Sequence, residues 1–328
     1  MNSQLYPLKF QPQFYEKIWG GHRIKTLLGK DFTPLANCGE SWEISGIDGY
    51  ASVVENGFLA ENELTELIEI YMGDLVGDSV YDRFGLGFPL LVKIIDAADT
   101  LSIQVHPGDE LAQQFFHENG KSELWYVLDA SPDVGLYAGF QQGVTPADYD
   151  KAVETGAVAQ LLQFYPVQKG DAFFIPAGTV HAIGKGVLLA EIQQASDLTF
   201  RIFDWNRVAS NGKPRTLHLK EARQALDFTS RQSYKINCQL ELNSSCKMLR
   251  ESCFNVNLLS FDKPVQKIYT PIDSFVIYLC TEGHFHLFGD NIEETLATGE
   301  TLLVPAEVTE LNLIPCHHKA TVLEVFLG

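Results

Sequence analysis

"GDAFFIPAGTVH", residues 170–181, returns in altered form as "GETLLVPAEVTE" at residues 299–310. Each copy opens with glycine and an acid, runs through three mostly apolar positions and a β-branched residue, and turns at Pro-Ala. The correspondence runs in order and without a gap, so it marks a repeated unit. Short strands bounded by turn residues, twice over, predict a mainly β chain of two jelly-roll barrels. Helices are expected to interrupt the first barrel. Leu64, Leu67, Ile68 and Tyr71 follow the i, i+3, i+4, i+7 pattern of a helix face. "GDELAQQFFHENG" reads as a helix carrying Leu111, Phe115 and Phe116 and ending near Gly120. Thr145-Pro146 opens another in the order cap then proline, with Val153, Leu161 and Leu162 on its apolar side. A further helix is expected near residues 218–227. The expected division is residues 1–235, a catalytic barrel with helical insertions, and residues 236–328, a smaller metal-free barrel.

The two copies differ where chemistry would sit. His181 becomes Glu310, and Gly178, which lets the chain bend inward, becomes Glu307. Upstream, "LSIQVHPGDE" at 101–110 places Gln104 and His106 two apart, on one face of a strand. Glu123 alternates with Trp125 and Val127 in "KSELWYVLDA" and shares its face with Lys121. Each donor alone is a weak signal, since a lone glutamate beside a lysine is usually a surface pair. Gln104, His106, Glu123 and His181 together, brought in from separate strands, predict a site for one divalent transition ion, zinc being suited to imidazole and carboxylate donors. His284 and His286 also share a strand face, but no histidine follows Pro305-Ala306, so they are expected to face solvent.

A net charge of -18 argues against nucleic acid or an anionic membrane as the main partner. The start, "MNSQLYPLKF", lacks a basic stretch followed by an apolar one, and no apolar run approaches the ~20 residues a bilayer requires. The six cysteines form no CxxC pair, so reduced thiols in a cytoplasmic protein are expected. "WGGHRIK" lacks the context of a phosphate-binding loop, and Gly20-Gly21 reads as a turn. Trp19 and Trp42 read as core.

The ordered stretches "IWGG" (18–21), "GESWEIS" (39–45), "PLLVKIIDA" (89–97), "LSIQVHP" (101–107), "GKSELWYVL" (120–128), "IPAGTVHAIG" (175–184) and "EIQQASDLTFRIFDWNR" (191–207) resemble the type I mannose-6-phosphate isomerases in their short bacterial form. These are zinc-dependent cupin-fold enzymes. The resemblance implies that Gln104, His106, Glu123 and His181 hold one zinc ion per chain, and that Arg201 is catalytic. It places Lys121, Glu191, Asp197 and Lys93 in the substrate pocket, although "VKII" alone would also allow a surface lysine. The implied reaction interconverts mannose 6-phosphate and fructose 6-phosphate through an enediol, in a monomer or homodimer.

The charge argument stands apart from the family. A phosphorylated hexose carries about two negative charges toward an acidic protein, so cations must lie near the site. Lys121 or Glu191 is the expected base, with Arg201 steadying the developing charge or the phosphate. An ion pair of Arg201 with Asp197 or Asp204 is its alternative. Two rival functions share the residue set. A two-histidine, one-carboxylate site also suits an iron-dependent oxygenase, and a cupin can bind a sugar without turning it over.

Overall fold

The structure, a computed structural model, describes residues 5–208, 212–290 and 292–328. The chain is mainly β. It divides into two compact units, one of Phe14–Trp42 and Val92–Ile236, the other of Met1–Gln13, Glu43–Leu91 and Asn237–Gly328. The sequence expectation cut the chain once, between residues 235 and 236, whereas this packing assigns residues 43–91 to the unit holding the C-terminal segment. Hydrogen bonds give the reason. Ala306 donates its backbone N–H to the Leu75 carbonyl (3.0 Å), Glu307 to that of Asp74 (2.9 Å) and Phe275 to that of Val76 (3.1 Å). The Asp273 carboxylate accepts from the backbone N–H of Asp78 and of Ser79, both at 2.8 Å.

The unit of Phe14–Trp42 and Val92–Ile236 carries two sheets. The larger has seven strands in the order Gln13–Tyr15, Glu40–Ser45, Leu90–Ala97, Val187–Gln194, Glu123–Ala130, Ala172–Ile175 and Lys235–Ile236. The smaller has five, in the order Phe200–Phe203, Ile103–Val105, His181–Ile183, Gly135–Phe140 and Leu162–Pro166. One apolar cluster draws Ile95, Trp125, Phe173 and Leu189 from the first sheet and Leu136, Ala138 and Ile183 from the second, so the inner faces pack on each other. The outer face of the smaller sheet is covered by helices. Val105, Ala182, Phe200 and Ile202 pack with Tyr149 and Ala152 of the Pro146–Thr155 helix and Ala222 of the Leu219–Ala225 helix. Because side chains alternate, burying Phe200 and Ile202 outward turns Arg201 inward, and burying Ile103 and Val105 does the same for Gln104.

The other unit has a five-stranded sheet, Ser244–Arg250, Asn255–Phe261, Ala320–Phe326, Val276–Glu282 and Thr301–Val304, and a four-stranded one, Val265–Ile268, Glu310–Pro315, His284–Gly289 and Ile292–Ala297. Their inner faces share one cluster that includes Leu259, Tyr278, Phe285, Leu302, Leu313 and Val322. Strand register carries the sequence echo further than the sequence does. Glu123 pairs with Ile175, and Val276 pairs with Val304, the residue matching Ile175 in the repeat. Gln104 pairs with His181, and Ile268 pairs with Glu310, the match of His181. Three positions that bear donors in one unit therefore hold Val276, Ile268 and Glu310 in the other. His284 is exposed and His286 half-buried, with ring centroids 5.8 Å apart.

The helix beginning at Leu64 runs Leu64–Tyr71, closed by a reciprocal box between Glu63 and Glu66, and buries Leu64, Leu67 and Ile68. Two helix readings need correction. The second helix is Asp109–Phe116, and it stops because His117 adopts the left-handed conformation (φ 57°) three residues before Gly120. Its buried residue is Ala112, while Phe115 and Phe116 are exposed. The third is Pro146–Thr155, capped by Thr145 and ended by the left-handed Gly156. Leu161 and Leu162 lie beyond it, Leu162 opening a strand. The reduced-thiol expectation fails for one pair, since Cys238 and Cys246 are joined with Cα atoms 6.2 Å apart.

The Pro176-Ala177-Gly178 turn reaches the site directly. Gly178 has φ +87° and donates its N–H to the His106 carbonyl at 2.8 Å. A Cβ there would meet the Ala225 carbonyl oxygen at 3.1 Å. Gly178→Ala should therefore lower stability by about 1–3 kcal/mol, read as a reduced urea midpoint with unchanged slope. A midpoint equal to that of the parent protein would show that the left-handed turn is not required.

Candidate metal centre

His106, Glu123 and His181 are each buried, and one donor atom from each lies within 4.8 Å of the others. His106 Nε2 is 3.2 Å from Glu123 Oε1, and His181 Nε2 is 3.9 Å from Glu123 Oε2. The far nitrogen of each ring is fixed by backbone. His106 Nδ1 meets the Leu198 carbonyl at 2.7 Å, and His181 Nδ1 meets that of Thr179 at 2.9 Å. A carbonyl only accepts, so each Nδ1 carries the proton and each Nε2 presents a lone pair inward. His106 Nε2 has no hydrogen-bond partner although it is buried. An orphaned, inward-facing lone pair beside a carboxylate is the donor arrangement a divalent ion requires, so these residues fit one.

Gln104 completes the cluster from the neighbouring strand. Its Nε2 lies 3.3 Å from His181 Nε2, and its Oε1 accepts from Ser102 Oγ at 3.3 Å. A half-turn of the amide exchanges those two atoms and would present oxygen to the same point. Of the four donors read from sequence, three converge and the fourth touches the cluster.

Electrostatics hold the histidines neutral. Burial, then the charge of Lys121, depresses the His106 imidazole to about 3. Burial also lowers His181. Burial alone would raise the Glu123 carboxyl, but His106 and Lys121 outweigh it and hold it well below the usual range. Lys121 Nζ sits 3.4 Å from Glu123 Oε1. Trp125 Nε1 donates to both Glu123 Oε2 (3.1 Å) and Glu191 Oε2 (2.9 Å), so one indole bridges two carboxylates. Glu191 is pushed up to about 7, first by burial and then by the charge of Glu123.

Of these groups Gln104, Lys121, Glu123 and Glu191 line a cavity of about 300 Å³, the lower end of the range for small-ligand sites. Asp197, Lys93 and Arg201 line it too, whereas His106 and His181 are not among its lining residues. Lys93 is 3% exposed and 3.3 Å from Glu191 Oε1, which removes the surface-lysine alternative. Arg201 pairs with neither Asp197 nor Asp204 among the described residues. Its NH1 donates to the Thr216 carbonyl at 2.9 Å, and its buried Nε is unpartnered. Trp19 is both core and cavity wall, whereas Trp42 lies beneath the Lys93 ammonium, 5.3 Å from it.

Sequence reading passed over Lys17, Glu40 and Arg215, which also line the cavity. Glu40 had a signal, because it alternates with Trp42 on one strand face and accepts its indole N–H at 2.9 Å. Arg215 stands in a loop, "GKPRT", with no periodicity to mark it.

A buried cluster of imidazoles, carboxylate and amide inside a β-sandwich defines a cupin-type metal site. Residues 7–135 match the model of the type I phosphomannose isomerase catalytic domain. The mannose-6-phosphate isomerase ManA of Bacillus subtilis is 41% identical over 233 residues, 68% of this chain and 69% of that protein. The mannose-6-phosphate isomerase of Streptococcus mutans is 39% identical over 66% of each. A crystal structure of the Bacillus subtilis mannose 6-phosphate isomerase superposes with a TM-score of 0.87 at 29% identity, covering 98% of this chain and 99% of the other. The chain belongs to the type I phosphomannose isomerases, a metal-dependent family. Among the described residues no helix is long and apolar enough to cross a membrane.

Glu40 supplies a test of these charges. Burial would raise its carboxyl, but Lys93 and Lys17 overcome this and hold it down to about 2, against an ordinary 4.5. A depressed folded value stabilises above the unfolded value and is lost as pH falls through the folded one. Glu40→Gln should cost about 1–3 kcal/mol at neutral pH. That gap from the parent protein should close as pH drops below 4.5 toward 2. Urea titrations across this range check it, and a gap that widens on acidification contradicts the assignment.

Proposed function

We propose that the chain is a zinc-dependent isomerase interconverting mannose 6-phosphate and fructose 6-phosphate through an enediol. The observation that carries the reading is the convergence of His106, Glu123 and His181 beside a cavity that Glu123 and Gln104 line, and whose walls supply both a carboxyl poised near neutrality and several cations. His106, Glu123 and His181 with Gln104 would hold the ion, and the nitrogen-rich, buried donor set suits zinc. When bound there, a divalent ion supplies Lewis-acid stabilisation of negative charge on the sugar oxygens O1 and O2.

The remaining steps belong to side chains. Glu191, raised to about 7 by burial and Glu123, is the base that takes the proton from one of C1 and C2 and returns it to the other. Trp125 fixes its Oε2 and Lys93 its Oε1, so the carboxylate cannot swing away from the cavity. Lys121 donates hydrogen bonds to the sugar oxygens as they gain charge, and Lys93 and Asp197 orient the substrate. Arg201, with a free buried Nε, steadies the developing anion. Membership of the phosphomannose isomerase family speaks against the oxygenase alternative.

Incubation with fructose 6-phosphate in deuterated water tests substrate and reaction class together. The expected product is mannose 6-phosphate labelled at C2, and a chelator should abolish its formation. Glucose 6-phosphate as the product would contradict the substrate assignment. Glu191→Gln should reduce kcat by about 10²–10⁴-fold. A value within a factor of three of the parent enzyme would remove Glu191 as base.

A further inference from the structure

His284 and His286 take no part in the chemistry above. They lie on the strand His284–Gly289, whose Phe285 and Leu287 belong to the apolar interior of their unit. Alternation therefore turns both histidines to the outer face of the four-stranded sheet. Their ring centroids are 5.8 Å apart, against 4.8 Å for His106 and His181 in the metal centre. Two imidazoles that ligate one ion from about 2.1 Å place their centroids roughly 5–6 Å apart, so the spacing already suits a shared ion. Phe288 stacks on His286 with centroids 5.6 Å and planes 24° apart, which limits rotation of that ring. No ring nitrogen of either histidine has a hydrogen-bond partner among the described residues, and His286 Nδ1 is also shielded from solvent.

A third donor faces them from the next strand. Phe285 pairs with Pro315, so His284 stands opposite Cys316, and the Cys316 N–H donates to the His284 carbonyl at 2.9 Å. Side chains directly opposite on neighbouring strands start from Cβ atoms about 4.5–5.5 Å apart. Cys316 is a free thiol and half-buried, as His286 is, while His284 is exposed. We propose that His284, His286 and Cys316 form a second metal site, for one zinc-class divalent ion, on the outer face of this sheet. Two imidazoles and a thiolate are a borderline-soft donor set that zinc and cobalt(II) accept and that oxygen-seeking magnesium and calcium do not. Water takes the fourth position. On binding, the ion replaces the proton of the Cys316 thiol, which passes to solvent. Among the described residues the trio already gathered is His106, Glu123 and His181. Here the set closes by rotation of His284 and Cys316 between side-chain rotamers, with no backbone movement. None of the three residues matches a catalytic donor in the repeat, so the site is not a relic of the first one. An ion held there ties the strand His284–Gly289 to the segment after Glu310–Pro315 and stabilises the folded chain according to its affinity.

Cobalt(II) titration of the metal-stripped protein tests the site, because a thiolate ligand gives an intense near-ultraviolet sulfur-to-cobalt charge-transfer band. The first centre offers nitrogen and oxygen donors alone and contributes none. The parent protein should show the band, saturating at one thiolate-bound ion per chain, and added zinc should remove it. Cys316→Ser should abolish it even though Cys38, Cys253 and Cys280 remain. His284→Ala and His286→Ala should each weaken cobalt binding about 10- to 100-fold, since losing even a supporting partner of a metal ligand costs that much. A parent protein without the band, or a band that survives in Cys316→Ser, would overturn the proposal. So would cobalt affinity within twofold of the parent in both histidine variants. Should Cys316→Ser fail to fold, the two histidine variants with parental melting decide alone. The site does not depend on the isomerase reading. A cobalt–thiolate band in a protein unable to isomerise fructose 6-phosphate would support the site and refute that reading. Isomerisation without the band would do the reverse.

Discussion

The charge on Glu123 is the constraint around which this structure is arranged. A carboxylate buried to 1% exposure is strongly unfavourable unless opposite charges or donors surround it. Here the Lys121 ammonium and the Trp125 indole N–H answer it, while the inward Nε2 atoms of His106 and His181 lie 3.2 and 3.9 Å from its oxygens. Each of those groups is fixed from behind, the rings by the carbonyls of Leu198 and Thr179 and the indole by Glu191. Rigid neutral histidines facing a fixed anion form a site prepared for a cation. The same anion raises Glu191, and one indole links the two carboxylates.

The repeat shows what the fold alone provides. Tyr278 takes the register position of Trp125, each pairing one residue pair inward from the Pro-Ala turn, and Glu324 pairs with Tyr278 as Glu191 pairs with Trp125. Glu324 is also buried, yet it is answered by Tyr269 at 2.7 Å, Lys267 at 2.8 Å and Asn257 at 2.6 Å. With Val276 in place of Glu123 and Ile268 in place of Gln104, the exposed Glu310 is the one possible donor left at the three matched positions. The same sheet architecture thus accommodates a satisfied structural carboxylate in one unit and a poised one in the other.

Much of this was legible in the sequence because period-two alternation on strands is a strict geometric rule. It placed Lys121 with Glu123, turned Arg201 away from Phe200 and Ile202, and put Gln104 facing the interior. The Pro-Ala-Gly turn located His181 by its contrast with Glu310. Elements governed by long-range contacts were not legible. Residues 43–91 have a clear helical pattern, but their partners near Asp273 and Ala306 are some two hundred residues away. The end of the Asp109–Phe116 helix depends on His117 adopting a conformation that glycine more often supplies. Arg215 reaches the cavity only because Asp204 and the Thr216 carbonyl hold its loop, and no local signal encodes that.

The central claim is that distant strands deliver four donors to one ion. Anomalous diffraction at the absorption edge of zinc, on crystals of the zinc-loaded protein, tests it most directly. The account predicts a single strong peak among Gln104, His106, Glu123 and His181, with ligand distances of about 2.0–2.2 Å. A peak elsewhere, or one bound by other residues while these four remain unligated, would contradict it.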